Sequence, residues 1–197
     1  MKRMDVKKLV GLSSLLAIVI VLQLLSPYFK IGIISITLVL IPVVIGAIIY
    51  GISGGAILGG AFGIVVLIQC ATGIDAGGAI LFTNRPVITA LLCIIKGVAA
   101  GASSGLVYSL LKNKIKNQMV AISLSAVIAP ITNTLIFCAC LPIFFYSTLV
   151  EWASGSNLLY YTIVVLVGWN FVVEFTLNAI LSPVIMRIVN IRNKEFE

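Results

Sequence analysis

The chain has 197 residues, of which 61% are hydrophobic and only 10% charged, with a formal net charge of +7. A soluble domain carries about a quarter charged residues, so a water-soluble globule is excluded and an integral membrane protein remains. The apolar runs are long and continuous rather than alternating, which selects helices over a closed barrel, the only other fold that satisfies its backbone in lipid.

Six spans follow in chain order, at about 9–26, 33–50, 54–70, 86–111, 118–148 and 159–189. The first apolar run, Leu9 to Leu25, follows a basic start. It is longer than the apolar region of a secretory signal and has no small-x-small cleavage site after it, so it is a span. It ends at Ser26-Pro27. The second carries Pro42, a candidate kink, and ends in the tight turn "YGISGG"; the third, "GGAILGGAFGIVVLIQC", is dense in glycine. The fourth ends in the basic loop "KNKIKN". The last two exceed the ~20 residues needed to cross, so they tilt, kink or protrude. Pro130, Pro142 and Pro183 are candidate kinks there.

Charge sets the orientation. Lys2, Arg3, Lys7 and Lys8, then Lys112, Lys114 and Lys116, then Arg187, Arg192 and Lys194 make ten of the thirteen cations. With six spans they share one side, which is then cytoplasmic, with both termini inside. The positive charge is thus topology rather than a nucleic-acid surface. Loops 27–32, 71–85 and 149–158 face outside. The loop "ATGIDAGGAILFTNR" has the length and glycine content of a mobile lid, and loop 149–158 carries Glu151 and Trp152. With no internal repeat, linker or low-complexity tail, residues 1–197 form a single membrane domain.

Some chemistries are excluded. The chain has no histidine, which removes a Ser-His pair and any histidine-containing metal site. "GISG" at 51–54 resembles the serine motif of rhomboid proteases, but its serine lacks the usual base. No P-loop occurs, so ATP-driven transport would need separate ATPase subunits, and the chain itself is expected to bind no cofactor. The cysteines, Cys70, Cys93, Cys138 and Cys140, have no framework spacing and read as packing residues.

Small residues recur at four-residue steps: Gly55, Gly59 and Gly63, then Gly97, Gly101 and Gly105, with Ser13 and Ala17 on the first span. That spacing lets helix backbones approach closely in lipid. The glycines read as packing within the bundle, while Ser13 and Ala17 suit internal packing or a partner protein equally.

Polar residues at depth are the functional candidates. Lys96 and Glu174 lie deep in the fourth and sixth spans. An isolated charge there costs roughly 2.5–3.5 kcal/mol, so either the two neutralise one another or Lys96 reaches an anionic ligand. Arg85, preceded by Asn84, stands immediately before Pro86. A residue before proline avoids the α region, so Arg85 is the last non-helical residue, beside free N–H groups at the positive end of a helix dipole. Such a place suits a carboxylate or phosphate, or a headgroup-anchoring arginine. Asn133 and Thr134 in "APITNT", and Trp169 and Asn170 in "VGWNF", suit interhelical hydrogen bonds or the amide and hydroxyl groups of a small solute equally, with Trp169 as an apolar wall. With Arg85 they outline a pocket for an acidic, hydrogen-bonding solute.

The six-span plan resembles a known family in its blocks "LSSLLAIVIVLQLL", "LVLIPVVIGAIIYGISGGAILGGAFGIVVLI", "LLCIIKGVAAG", "APITNTLIF" and "NFVVEFTLNAILSPVI". They resemble the substrate-binding S components of energy-coupling-factor (ECF) vitamin transporters, over nearly the whole chain. The resemblance implies a bacterial plasma-membrane protein that captures a vitamin from outside. It then associates with a transmembrane coupling protein and two ATPases, and topples to release its cargo. It also implies a docking surface with an A-x-x-x-A pattern on the first helix, for which Ser13 and Ala17 are the nearest match, serine standing where the family has alanine.

The group that includes pantothenate carriers is the most similar. Pantothenate has one carboxylate, one amide and two hydroxyls, which suits Arg85, Asn84, Asn133 and Asn170, with Lys96 contributing and Trp169 as a wall. The rival class is a self-sufficient secondary transporter or channel, for which no inverted repeat speaks. An enzyme lacks a recognisable catalytic set.

Overall fold

A computed structural model describes residues 3–28, 30–31, 34–35 and 38–194. Helix α1 runs Arg3–Leu25, and a single 3-10 turn, Ser26–Tyr28, ends it at Pro27. A two-residue antiparallel ladder then pairs Lys30 with Ser35 and Ile31 with Ile34.

Helix α2 (Leu40–Ala71) changes direction at Gly51, where φ is 77° and ψ −168°. Eight residues of straight helix climb about 12 Å. Yet a Cβ on Gly54 would stand 3.1 Å from the Gly46 carbonyl oxygen, and one on Gly55 would stand 2.7 Å from the Ala47 Cβ. The two arms, 40–50 and 52–71, therefore fold back on each other as a helical hairpin. The stretches expected as the second and third spans fall in these arms, and the helix begins at Leu40 rather than at 33. Pro42 falls in the first turn, where no helix donor is lost, and makes no break. The Gly51 backbone lies in a region essentially restricted to glycine, and nothing stands within 4 Å of a Cβ there. Gly51→Ala should therefore cost about 1–3 kcal/mol through conformation alone, read as a lower melting temperature in detergent.

The expected lid 71–85 is largely helix: α3 covers Ala76–Asn84. Helix α4 (Pro86–Leu111) starts at its proline with Arg85 outside it, as an X-Pro step requires. Helix α5 (Gln118–Phe144) is capped by Asn117, whose side chain accepts from the Met119 N–H, and runs unbroken through Pro130. It ends two residues past Pro142 rather than at 148, and the short α6 (Tyr146–Ala153) follows. The last pass begins as α7 (Leu158–Tyr160), widens into a π-helical stretch (Tyr161–Gly168) and continues as α8 (Trp169–Ile180). It then bends by 45° into α9 (Ser182–Lys194), where Pro183 enters.

The expected glycine packing is the main seam of the bundle. The second arm of α2 lies against α4 with Gly55 on the Gly101 carbonyl, Gly59 on the Gly97 carbonyl and Gly63 on the Cys93 carbonyl. A Cβ on any of these three would collide with the facing main chain. The first arm buries Val44, Ile45 and Ile48 against Ile122, Ala126 and Ala129 of α5 and Ile185 and Val189 of α9. Hydroxyls tie α4 to α5: the Ser104 Oγ donates to the Ser125 carbonyl at 2.8 Å, and the Ser103 and Thr132 hydroxyls are 3.0 Å apart.

Helices α1, α2, α4 and α5 are long and apolar enough to cross a membrane, and the bent α8–α9 pair is a fifth candidate. The chain is thus a multi-pass helical membrane protein. The first arm of α2 rises only roughly 16 Å, about half the ~30 Å hydrocarbon core, so it does not match the full second span expected.

Packing gathers the basic segments. Lys7, Tyr50, Ile188 and Ile191 line one groove, and Gly105 abuts Ile52 beside the hairpin turn. The start of α1, the turn at Gly51 and the ends of α4 and α9 therefore share one end of the bundle. The described cations Lys7, Lys8, Lys112, Lys114, Lys116 and Arg187 belong to these segments.

Candidate functional site

At the other end the closing residues of α1 and α2 and the opening turns of α4 enclose a cavity of about 100 Å³, completed by α3, α5, α6 and α8. Its polar lining includes Gln23, Gln69, Asp75, Lys96, Asn133 and Glu174, and Phe62, Phe137, Trp152 and Phe171 wall it.

Lys96 reaches this space because of the glycine seam. Gly97 packs on Gly59, and the residue before it is turned by one helical step, about 100°, off the seam. The Lys96 Nζ lies 5.4 Å from the Phe137 ring centroid and 6.0 Å from that of Phe62. Aromatic faces stabilise a cation at such distances. Glu174, only 6% exposed, lines the same cavity, so the two charges singled out from the sequence face one space. The roof is α3, through Asp75, Gly77, Gly78 and Leu81. It can lie this close to α2 because Gly78 sits on the Cys70 thiol, where a Cβ would collide.

Asn133 and Thr134 also line the cavity. Arg85 does not: it is exposed at the α3–α4 junction, and its carbonyl accepts from the Thr89 N–H at 3.0 Å and the Thr89 hydroxyl at 2.9 Å. Asn84 is exposed too, and its Nδ2 donates to the Thr148 Oγ1 at 2.8 Å, joining α3 to α6. Loss of that bond in Asn84→Ala should lower stability by about 1 kcal/mol, measured by thermal unfolding. Trp169 and Asn170 open α8, but their side chains lie outside the described residues; the next residue, Phe171, lines the cavity. Ser13 and Ala17 are exposed on α1, away from the core positions Leu12, Leu15, Leu16 and Val19.

The sequence reading passed over Gln23, Gln69 and Asp75. Gln23 in "LQLLS" and Gln69 in "LIQC" are isolated amides in apolar runs, and an amide in lipid needs a polar partner; that was the available signal. Gln23 Oε1, Asp75 Oδ1 and Asn133 Oδ1 are buried and have no hydrogen-bond partner among the described residues. A buried acceptor left unpaired costs about 1–3 kcal/mol, so three on one cavity mark it as a place for a donor-bearing solute. Among the described residues, no group of three or more Cys, Asp and Glu side chains could hold a metal ion.

A search for similar curated proteins found no match. The family model for the ECF transporter, substrate-specific component, matches residues 7–188, the hairpin, the glycine seam and the cavity included. The chain therefore belongs to the family of substrate-specific components of ECF transporters.

Proposed function

We propose that the chain captures pantothenate in the cavity between α1, α2 and α4 and passes it inward with a membrane coupling protein and two ATPases. The observation that carries this reading is a cation and three unpartnered acceptors on one cavity. Lys96 supplies a cation for the carboxylate, and Gln23, Asp75 and Asn133 supply three unpartnered acceptors for the amide N–H and two hydroxyls of pantothenate. Size agrees in rank. At roughly 10–15 Å³ per water-sized position, the cavity holds on the order of ten non-hydrogen atoms. Pantothenate is somewhat larger and needs α3 to lift, whereas riboflavin and folate need far more space.

Orientation follows from the basic end. Six crossings with both termini in the cytoplasm place Lys7, Lys8, the Lys112–Lys116 loop and Arg187 inside, so the cavity opens outward in a bacterial plasma membrane. The coupling protein docks on the exposed α1 face around Ser13 and Ala17, where small side chains let another helix approach.

Calorimetric titration of the purified chain in detergent against pantothenate, folate, riboflavin, thiamin and biotin tests the reading. One-to-one binding of pantothenate is expected without any partner, and binding of another member alone would replace the cargo. Vesicles containing only this chain should show no uptake; uptake there would favour a self-sufficient transporter.

A further inference from the structure

Gln23 and Gln69 are 3% and 2% exposed, sit on different helices, and both line the cavity. The Gln69 Nε2 donates to the Gln23 main-chain carbonyl at 2.8 Å. Its Oε1 accepts from the Gln23 Nε2 at 2.7 Å. The second hydrogen of that Nε2 goes to the Ser26 Oγ at 3.0 Å, and Ser26 donates its own proton to the Gln23 carbonyl at 2.9 Å.

This network has one direction. A main-chain carbonyl only accepts, so turning Gln69 over would set its oxygen against the Gln23 carbonyl oxygen. Turning Gln23 over would set two side-chain oxygens against each other at the Gln69 contact. Both hydrogens of the Gln23 amide are consumed, and its Oε1 has no partner among the described residues. The one atom of Gln23 left without a partner is therefore an acceptor, on a side chain that lines the cavity.

We propose that Gln23 is a specificity-determining residue whose Oε1, held in place by Gln69 and Ser26, accepts an O–H or N–H from the captured solute. Solutes that offer a donor at the α1–α2 wall are retained, and isosteres offering a methyl or an acceptor there are rejected. Gln69 is a positioning residue, since it fixes which atom of Gln23 is free. The inference rests on the reading of the cavity as the solute-capture site, though not on which vitamin is the cargo.

The test is titration of wild type, Gln23→Met and Gln69→Met in detergent with pantothenate, folate, riboflavin, thiamin and biotin, each variant checked by thermal unfolding. For the vitamin that binds wild type, Gln23→Met should weaken affinity about 10- to 100-fold, the loss that follows from an unmade buried hydrogen bond. Should Gln23→Met not fold, Gln69→Met carries the test: it frees the Gln23 amide to turn, and affinity should fall although Gln23 remains. Unchanged affinity in a folded Gln23→Met, or in a folded Gln69→Met when that variant carries the test, overturns the proposal and leaves the capture reading intact. If no vitamin binds wild type, the capture reading fails first, and this inference fails with it.

Discussion

Gly59→Leu is expected to destroy the bundle, and even Gly59→Ala should lower its stability by about 1–3 kcal/mol, the range for overpacking a tight interface. Gly59 meets the main chain of Gly97, so an added methyl has no flexible side chain to displace. Helices α2 and α4 form the most extensive helix pairing among the described residues, and separating them also moves Lys96 and Cys93 at the cavity. Gly60→Ala is the matched control. Its Cβ would meet only the Val98 Cγ2 at 3.3 Å, and alanine is the better helix former by roughly 1 kcal/mol in water. Thermal unfolding in detergent should rank Gly60→Ala near wild type, Gly59→Ala below it and Gly59→Leu unfolded. Equal melting of Gly59→Ala and wild type would mean that the two backbones are not in contact.

The second large effect is on binding. Lys96→Met should weaken pantothenate by about 10- to 150-fold, the loss of a charge-assisted hydrogen bond worth about 1.5–3 kcal/mol. Arg85→Ala should stay within about threefold of wild type, because its side chain is exposed outside the cavity lining. Titration of both variants decides which cation holds the carboxylate. Loss at Arg85 with retention at Lys96 would move the anionic end of the solute to the α3–α4 junction. Methionine keeps much of the length of lysine between the rings of Phe62 and Phe137, so a folded Lys96→Met isolates charge from packing.

The way these two cations separate shows why the site was only partly legible. Before Pro86, local rules placed Arg85 outside a helix start, and α4 begins there. The same rules could not say whether that helix start opens into the cavity, because this depends on where α3 lies and on its link to α6 through Asn84 and Thr148. Lys96 and Glu174 stood out as charges in apolar runs, a costly choice whatever the fold, and both line the cavity. Gln23 and Gln69 carried a weaker form of the same signal. Their meaning is a contact between residues 46 positions apart, which no local pattern contains. The segment 71–85 differs for a related reason: its glycines suggested a loop, whereas it is largely helix α3, which Gly78 lets pack on Cys70.

What the sequence by itself determined is the solvent and the seams. Continuous apolar runs require a backbone that satisfies its own hydrogen bonds in lipid, and glycines four residues apart require that one face of a helix meet another backbone. Both are local necessities, written in composition and period. Tertiary structure alone decided that Gly51 turns α2 back on itself, that Gly55, Gly59 and Gly63 pair with α4, and that Lys96 is thereby turned toward Phe137 and Phe62. It also decided which amide oxygen at Gln23 is left unbonded. These are choices among partners, and a choice among partners depends on geometry between distant segments, where a one-residue change of helix phase moves a side chain by about 100°.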